Sequence, residues 1–142
     1  MKIVVNQSCQ DDMNAHAEET FPEECCGTML GREREDGSRE IVQVIRVENT
    51  KGENRERRFL IEPRSLLQAE RTAKEAGLDV LGIYHSHPDH PSKWSEFDRV
   101  HAMPFWSYLI ISCIKGKTAT IQSWRLREDR SVFDEEELSF NG

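Results

Sequence analysis

The sequence predicts an α+β domain, a mostly antiparallel or mixed β-sheet with about three helices packed on it. Three observations carry this reading. Apolar runs of strand length recur at residues 41–47, 80–84 and 108–114. Two segments, starting at Ser8 and Pro63, space their small and apolar residues at helical intervals instead. Between residues 80 and 98 the pattern changes from strand to loop to helix. A length of 142 residues suits a single domain over 1–142, long enough to bury about two thirds of its unfolded surface without staples.

Taken in order, Ser8 with Asp11 three residues later reads as a capped helix start, and Cys9, Met13, Ala17 and Thr20 share a helical face until Pro22. Residues 25–31 and 41–47 are strand-like. The charged link between them contains Asp36-Gly37, which accepts the positive φ of a tight hairpin turn, so an antiparallel pair is expected. Residues 59–61 read as a short strand. Pro63 opens a helix in which Leu66, Ala69 or Glu70, Ala73 and Ala76 recur at helical spacing until Gly77 ends it. Residues 80–84 form a strand entering His85-Ser86-His87-Pro88, and a loop with Pro91 and Ser92 leads to a cap-like helix start at Ser95. Residues 108–114 and 118–124 supply two more strands around Lys115-Gly116-Lys117, while the acidic stretch 128–137 specifies no element. No repeat, low-complexity tract or linker-like segment marks a boundary.

Composition narrows the function classes. Lys and Arg total 19 against 26 Asp and Glu, a formal charge of −7, where a general nucleic-acid or anionic-membrane binder would be basic. No apolar run approaches the roughly 18 residues needed to span a bilayer, and residues 3–5 are too short for a signal-peptide core, so a soluble cytoplasmic protein is expected. Cys9, Cys25, Cys26 and Cys113 lack Cys-x-x-Cys spacing and are expected to be free, buried thiols.

The chemistry concentrates in residues 85–98. Side chains two apart on a strand share a face, so His85 and His87 can point both imidazoles at one centre, with Ser86 turned away. A catalytic zinc takes three protein ligands and leaves one position open, and Asp98, in the first turn of the next helix, can close the triangle. Zinc lowers the pKa of bound water from about 16 to about 7, and a general base must still manage the proton; Glu23 or Glu24 could serve. Ser95 and Asp98 equally fit a Ser-x-x-Asp helix cap, which alone would explain both residues. His85 to His90 also satisfies the His-x-His-x-Asp-His pattern of dinuclear metallo-β-lactamase folds, but only His101 follows where further histidine ligands would be needed. His16 and His101, on helices without evident partners, read as structural or surface residues.

These residues resemble the JAMM, or MPN-plus (Mov34/MPN/PAD-1), zinc metalloproteases. That signature is an upstream glutamate, then His-x-His-Pro, six residues and Ser-x-x-Asp; here it reads His85-Ser86-His87-Pro88, residues 89–94, and Ser95-Glu96-Phe97-Asp98. Pro22-Glu23-Glu24-Cys25-Cys26-Gly27 resembles the first-strand element of compact bacterial members and selects Glu24 over Glu23. Residues 59–63 also look familial, so the resemblance spans about residues 8–125. It implies an MPN/JAMM, cytidine-deaminase-like fold, one zinc per chain on His85, His87 and Asp98, Glu24 as the base, and Ser95 orienting or stabilising the tetrahedral intermediate. The compact bacterial branch further implies a substrate: a ubiquitin-like sulfur-carrier protein cut after its C-terminal Gly-Gly, releasing cysteine or an extension. An extended tail could add along a sheet edge beside the metal, with Trp94 either walling the channel or packing the loop. Two other classes stay open, a DNA-repair-associated branch of the same superfold and a non-catalytic partner-binding module.

Overall fold

The computed structural model describes residues 1–142. Seven strands and three helices follow in the order β1 (Lys2–Asn6), α1 (Gln7–Thr20), β2 (Cys26–Glu33), β3 (Arg39–Val47), α2 (Pro63–Glu75), β4 (Asp79–Pro88), α3 (Glu96–His101), β5 (Ser107–Ile114), β6 (Lys117–Leu126) and β7 (Phe133–Asn141). The α+β reading holds, and the sheet is mixed: β1 runs parallel to β3 and β7, and β4 parallel to β5, while the remaining pairs are antiparallel. It goes further than expected by closing into a barrel in the order β1-β3-β2-β4-β5-β6-β7. Closure leaves few free edges, the first six residues of β6 being paired with β5 alone.

The barrel depends on two strands that pattern alone did not reveal. β1 is only five residues long, but Ile3 and Val5 are fully buried. β7 carries the acidic run, and its alternation puts Glu136 inside. That buried charge is matched: Glu136 accepts from Ser107 Oγ (3.0 Å), Ser123 Oγ (2.8 Å) and the Arg125 guanidinium (2.6 Å). Arg39, also buried, donates to Ser107 Oγ at 2.9 Å and to the Leu81 and Phe105 carbonyls. An acidic segment can form a strand here because its inward carboxylate has a built partner set.

The helices form largely where predicted. α1 buries Cys9, Met13, His16 and Ala17, but its cap is Asn6, whose side chain accepts the Ser8 amide at 3.1 Å; Ser8 is inside the helix. α2 begins at Pro63 and buries Ala69 and Ala73, while Ala76 is the C-cap and Gly77 follows at φ +71°. The hairpin turn between β2 and β3 has Gly37 at φ +85°, and Asp36 accepts from Ser38. Residues 59–61 form no strand. Their backbone joins residues 49–50 through a single main-chain bond, Thr50 N–H to Leu60 O, and is otherwise held by side chains: Thr50 Oγ1–H donates to the Leu60 carbonyl and Asn49 accepts the Leu60 amide.

Two apolar cores sandwich β4 and β5. Tyr84, Leu109 and Ile111 pack with α1 in one, while Ile83, Tyr108 and Ile110 pack with Trp124 and Phe133 in the other. Burial on both faces is why these strands read as unbroken apolar runs. Gly82 lets β4 lie against β5, since a Cβ there would sit 1.9 Å from the Ser107 carbonyl oxygen. All four cysteines are free and buried. No helix is long and apolar enough to cross a membrane.

Candidate metal centre

His85 and His87 leave the same face of β4. Ser86 between them turns away, and its Oγ accepts the Cys25 amide at 2.8 Å while its own amide donates to the Cys25 carbonyl. This exchange fastens the residues before β2 to the histidine segment, continuing the register that pairs Cys26 with His85. Glu24 is thereby carried to the same end of the barrel.

Three donor atoms converge. His85 Nε2 lies 3.2 Å from His87 Nε2 and 3.2 Å from Asp98 Oδ1, and His87 Nε2 lies 3.3 Å from Asp98 Oδ2. Zinc bound tetrahedrally to nitrogen and oxygen at about 2.0–2.1 Å sets neighbouring donors about 3.3–3.4 Å apart. The separations therefore fit a mononuclear zinc, and the two imidazoles and one carboxylate are the right donor types. His90 stands outside this group, so the dinuclear reading has no support in the geometry.

Each donor is held from behind. His87 Nδ1–H donates to the Pro91 carbonyl at 2.8 Å, which leaves the Nε2 lone pair facing the other donors. His85 Nδ1 has no protein partner; its ring is held by stacking on Phe59, with centroids 4.5 Å apart and planes 29° from parallel. Burial pushes the His85 pKa down, which favours the neutral imidazole that binds metals. Asp98 completes a capping box on α3: its Oδ2 accepts the Ser95 amide at 2.8 Å, and Ser95 Oγ accepts the Asp98 amide at 3.1 Å. The cap and the donor set are thus one arrangement, because the carboxylate that caps the helix is also aimed at the histidines. Burial opposes the Asp98 charge, but His85 and His87 together outweigh it and hold the carboxyl well below the usual carboxylate range.

Glu24 and Glu23 have different fates. Glu23 is half exposed and pairs with Arg55 at 3.3 Å. Glu24 is 3% exposed, and burial first, then the Asp98 charge, pushes its carboxyl up to about 9. It shares a recess of about 300 Å³ with His87, Trp94 and Ser95. Trp94 packs on Phe133, with ring centroids 5.1 Å apart, and also lines that recess. His16 is buried and bonds Tyr84 OH at 2.7 Å, while His101 is exposed, donates to the Phe97 carbonyl, packs on the Phe97 ring and lines a cleft with His85 and Asp98.

Two supporting residues were not singled out from the sequence. Phe59 backs His85, and Asn49 fastens the segment that carries it. The Asn49 amide donates to the Glu24 carbonyl (3.2 Å) and the Arg58 carbonyl (3.1 Å), and its oxygen accepts the Leu60 and Lys51 amides (both 3.1 Å). A lone Asn before a polar loop carries no pattern that would have identified it.

Comparison with known proteins agrees with this geometry. Residues 6–127 match the family described as prokaryotic homologs of the JAB domain. The desampylase of Haloferax volcanii is 29% identical over 136 residues, which cover 92% of this chain and 94% of that protein. A probable TtuB-protein conjugate cleaving protease of Thermus thermophilus is 31% identical over 90 residues, 63% of this chain and 56% of that longer protein. Among solved structures, a protein of Desulfitobacterium hafniense gives a TM-score of 0.84 at 31% identity, covering 98% of this chain and 92% of the other. One from Salinibacter ruber gives 0.76 at 34% identity, covering 99% and 92%. With most of its length matched, and with the His-x-His-Pro and Ser-x-x-Asp residues meeting at one centre, this chain belongs to the prokaryotic branch of the JAB (JAMM/MPN) family.

Proposed function

We propose that the chain is a zinc-dependent peptidase that cuts after the C-terminal Gly-Gly of a ubiquitin-like sulfur-carrier protein, releasing cysteine or a C-terminal extension. The observation that carries this reading is the set of three donors 3.2–3.3 Å apart beside the buried carboxyl of Glu24. The names of the relatives, a desampylase and a probable conjugate cleaving protease, support hydrolysis at the tail of a ubiquitin-like protein.

His85, His87 and Asp98 would hold the zinc. When bound, it supplies Lewis-acid polarisation of the scissile carbonyl, acidifies water, and draws the Glu24 carboxyl back toward its ionised form. Glu24, as carboxylate, takes a proton from water as the water oxygen bonds to the carbonyl carbon. It passes that proton to the amide nitrogen as the C–N bond breaks, giving a carboxylate and a free amine. Ser95 Oγ already accepts the Asp98 amide, so its hydroxyl hydrogen is free to donate to the developing oxyanion. Residues 59–61, outside the barrel ladder, line the cleft beside His85 and offer backbone along which a tail can lie. Glycines before the cut suit this passage because they carry no side chain past Phe59 and Phe97.

The test is intact-mass measurement of a Gly-Gly carrier bearing a C-terminal extension, incubated with zinc-loaded protein beside an Ala-Ala carrier and a generic unfolded protein. Cleavage confined to the first, and stopped by a chelator, is expected. Equal cutting of all three would make the chain an unspecialised peptidase, and no cutting of any would favour a non-catalytic binding module.

A further inference from the structure

Two recesses of opposite character flank the donor residues. His85 and Asp98 line an apolar cleft of about 260 Å³ that runs past Phe59, Met103 and Phe105. His87, Ser95 and Glu24 line the other recess, of about 300 Å³, whose wall is completed by Arg57, His90 and Lys93 among others. In a chain of net charge −7, this second recess carries two permanent cations, and its one acid is Glu24. Neither Arg57 nor Lys93 makes an ion pair; the nearby Glu23 is taken by Arg55.

The segments bearing these cations are fixed. The Glu24 amide donates to the Arg55 carbonyl at 2.7 Å, and Asn49 bridges the Glu24 and Arg58 carbonyls, so the backbone on both sides of Arg57 is tied to Glu24. On the other wall, Ser92 is held by Thr120, Gln122 and the Trp124 indole, and Trp94 packs on Phe133, which anchors the residues on both sides of Lys93.

The direction of the substrate follows from the proton. Glu24 lines this recess and not the apolar cleft, and it must deliver its proton to the leaving nitrogen. The leaving group therefore occupies the cationic recess, and the acyl side lies toward the apolar cleft. We propose that Arg57 and Lys93 form a carboxylate subsite for the leaving group, so that the substrate cut best ends in a single amino acid joined by an ordinary peptide bond. In such a substrate the free α-carboxylate sits one carbon from the leaving nitrogen, where two unpaired cations can meet it. In an isopeptide to a lysine side chain, the same place is taken by uncharged methylenes. This inference rests on the peptidase reading and narrows its leaving group from a residue or a longer extension to a single α-linked residue with a free carboxylate.

The experiment uses zinc-loaded full chain and three substrates made on one ubiquitin-like carrier: Gly-Gly-Ala as the free acid, Gly-Gly-Ala as the C-terminal amide, and Gly-Gly joined to the ε-amine of a lysine peptide. The expected kcat/KM for the acid exceeds that for the amide and the isopeptide by about tenfold or more, carried mainly by KM. The Arg57→Ala/Lys93→Ala double variant is expected to bring the acid-to-amide ratio to within about twofold of one, and Arg57→Lys to retain part of it. Equal cutting of acid and amide by the wild type, or an undiminished ratio in the double variant, would overturn the subsite and leave the peptidase reading standing. Failure to cut any of the three would remove the peptidase reading and the subsite with it.

Discussion

Replacing Glu24 with Gln separates what this carboxyl does for catalysis from what it costs the metal-free fold. In the folded chain its pKa is pushed from 4.5 up to about 9 by burial and by Asp98. A group whose pKa rises on folding contributes fully below its unfolded pKa, and that contribution is lost as pH climbs through the folded value. The window here runs from about pH 4.5 to about pH 9. At pH 7.5 the unfolded chain has released the proton and the folded chain still holds it, and three units at about 1.4 kcal/mol each make the native state less stable by about 4 kcal/mol. Gln keeps the shape and does not titrate. Chelator-treated Glu24→Gln should therefore gain on chelator-treated wild type by about 1.4 kcal/mol per pH unit above pH 5, measured by urea unfolding at pH 5, 6, 7 and 8. Zinc should narrow the gap, because the cation favours the Glu24 carboxylate. The same variant should bind zinc and lose turnover by about a hundredfold or more, while Glu23→Gln, on an exposed pair with Arg55, should be mild. A stability difference independent of pH would refute the argument for a buried, proton-holding Glu24, and a dead Glu23→Gln beside an active Glu24→Gln would refute the choice of base.

Purified protein is expected to carry about one zinc per chain by elemental analysis, with His87→Ala or Asp98→Ala losing it and His90→Ala keeping it; full retention in both of the first two would refute the ligand set. Phe59→Ala, which removes the aromatic ring stacked on His85, is expected to weaken zinc affinity by about tenfold in a chelator competition, and Phe59→Tyr to restore most of it. Affinity unchanged in Phe59→Ala would show that β4 alone orients His85.

The parts of the fold legible in the sequence are those where one residue pattern has one cause. β4 and β5 read clearly because both faces are buried, and α2 because Pro63, Ala69, Ala73 and Gly77 agree on its start, face and end. β7 was illegible because its acidic half turns a glutamate, Glu136, inward. Its strand character depends on Ser107, Ser123 and Arg125, which arrive from two other strands. Barrel closure was hidden for the same reason, since β7 and the five-residue β1 are the two strands that close it. The expected strand at 59–61 failed for the opposite cause: its apolar residues face the cleft and His85, not a sheet neighbour, so an apolar run was present without a ladder.

At the site, the question left open by spacing was whether Ser95 and Asp98 cap a helix or serve a metal. Those readings compete only if a carboxylate has one job. Asp98 has two oxygens: Oδ2 caps α3 through the Ser95 amide and also faces His87, while Oδ1 faces His85. The cap fixes the χ angles that aim the carboxylate, and α3, at six residues, is too short to hold a side chain in place by propensity alone. The reciprocal bond occupies one acceptor position on Ser95 Oγ and leaves its hydrogen free for the substrate. A Ser-x-x-Asp spacing at the start of so short a helix thus supplies an oriented donor atom and an oriented hydroxyl from a single local motif. Ser95→Ala keeps the residue-95 amide that holds Asp98 Oδ2 but loses the Oγ bond that caps α3, so it should lower zinc affinity modestly as well as turnover, whereas an oxyanion role alone would lower turnover only.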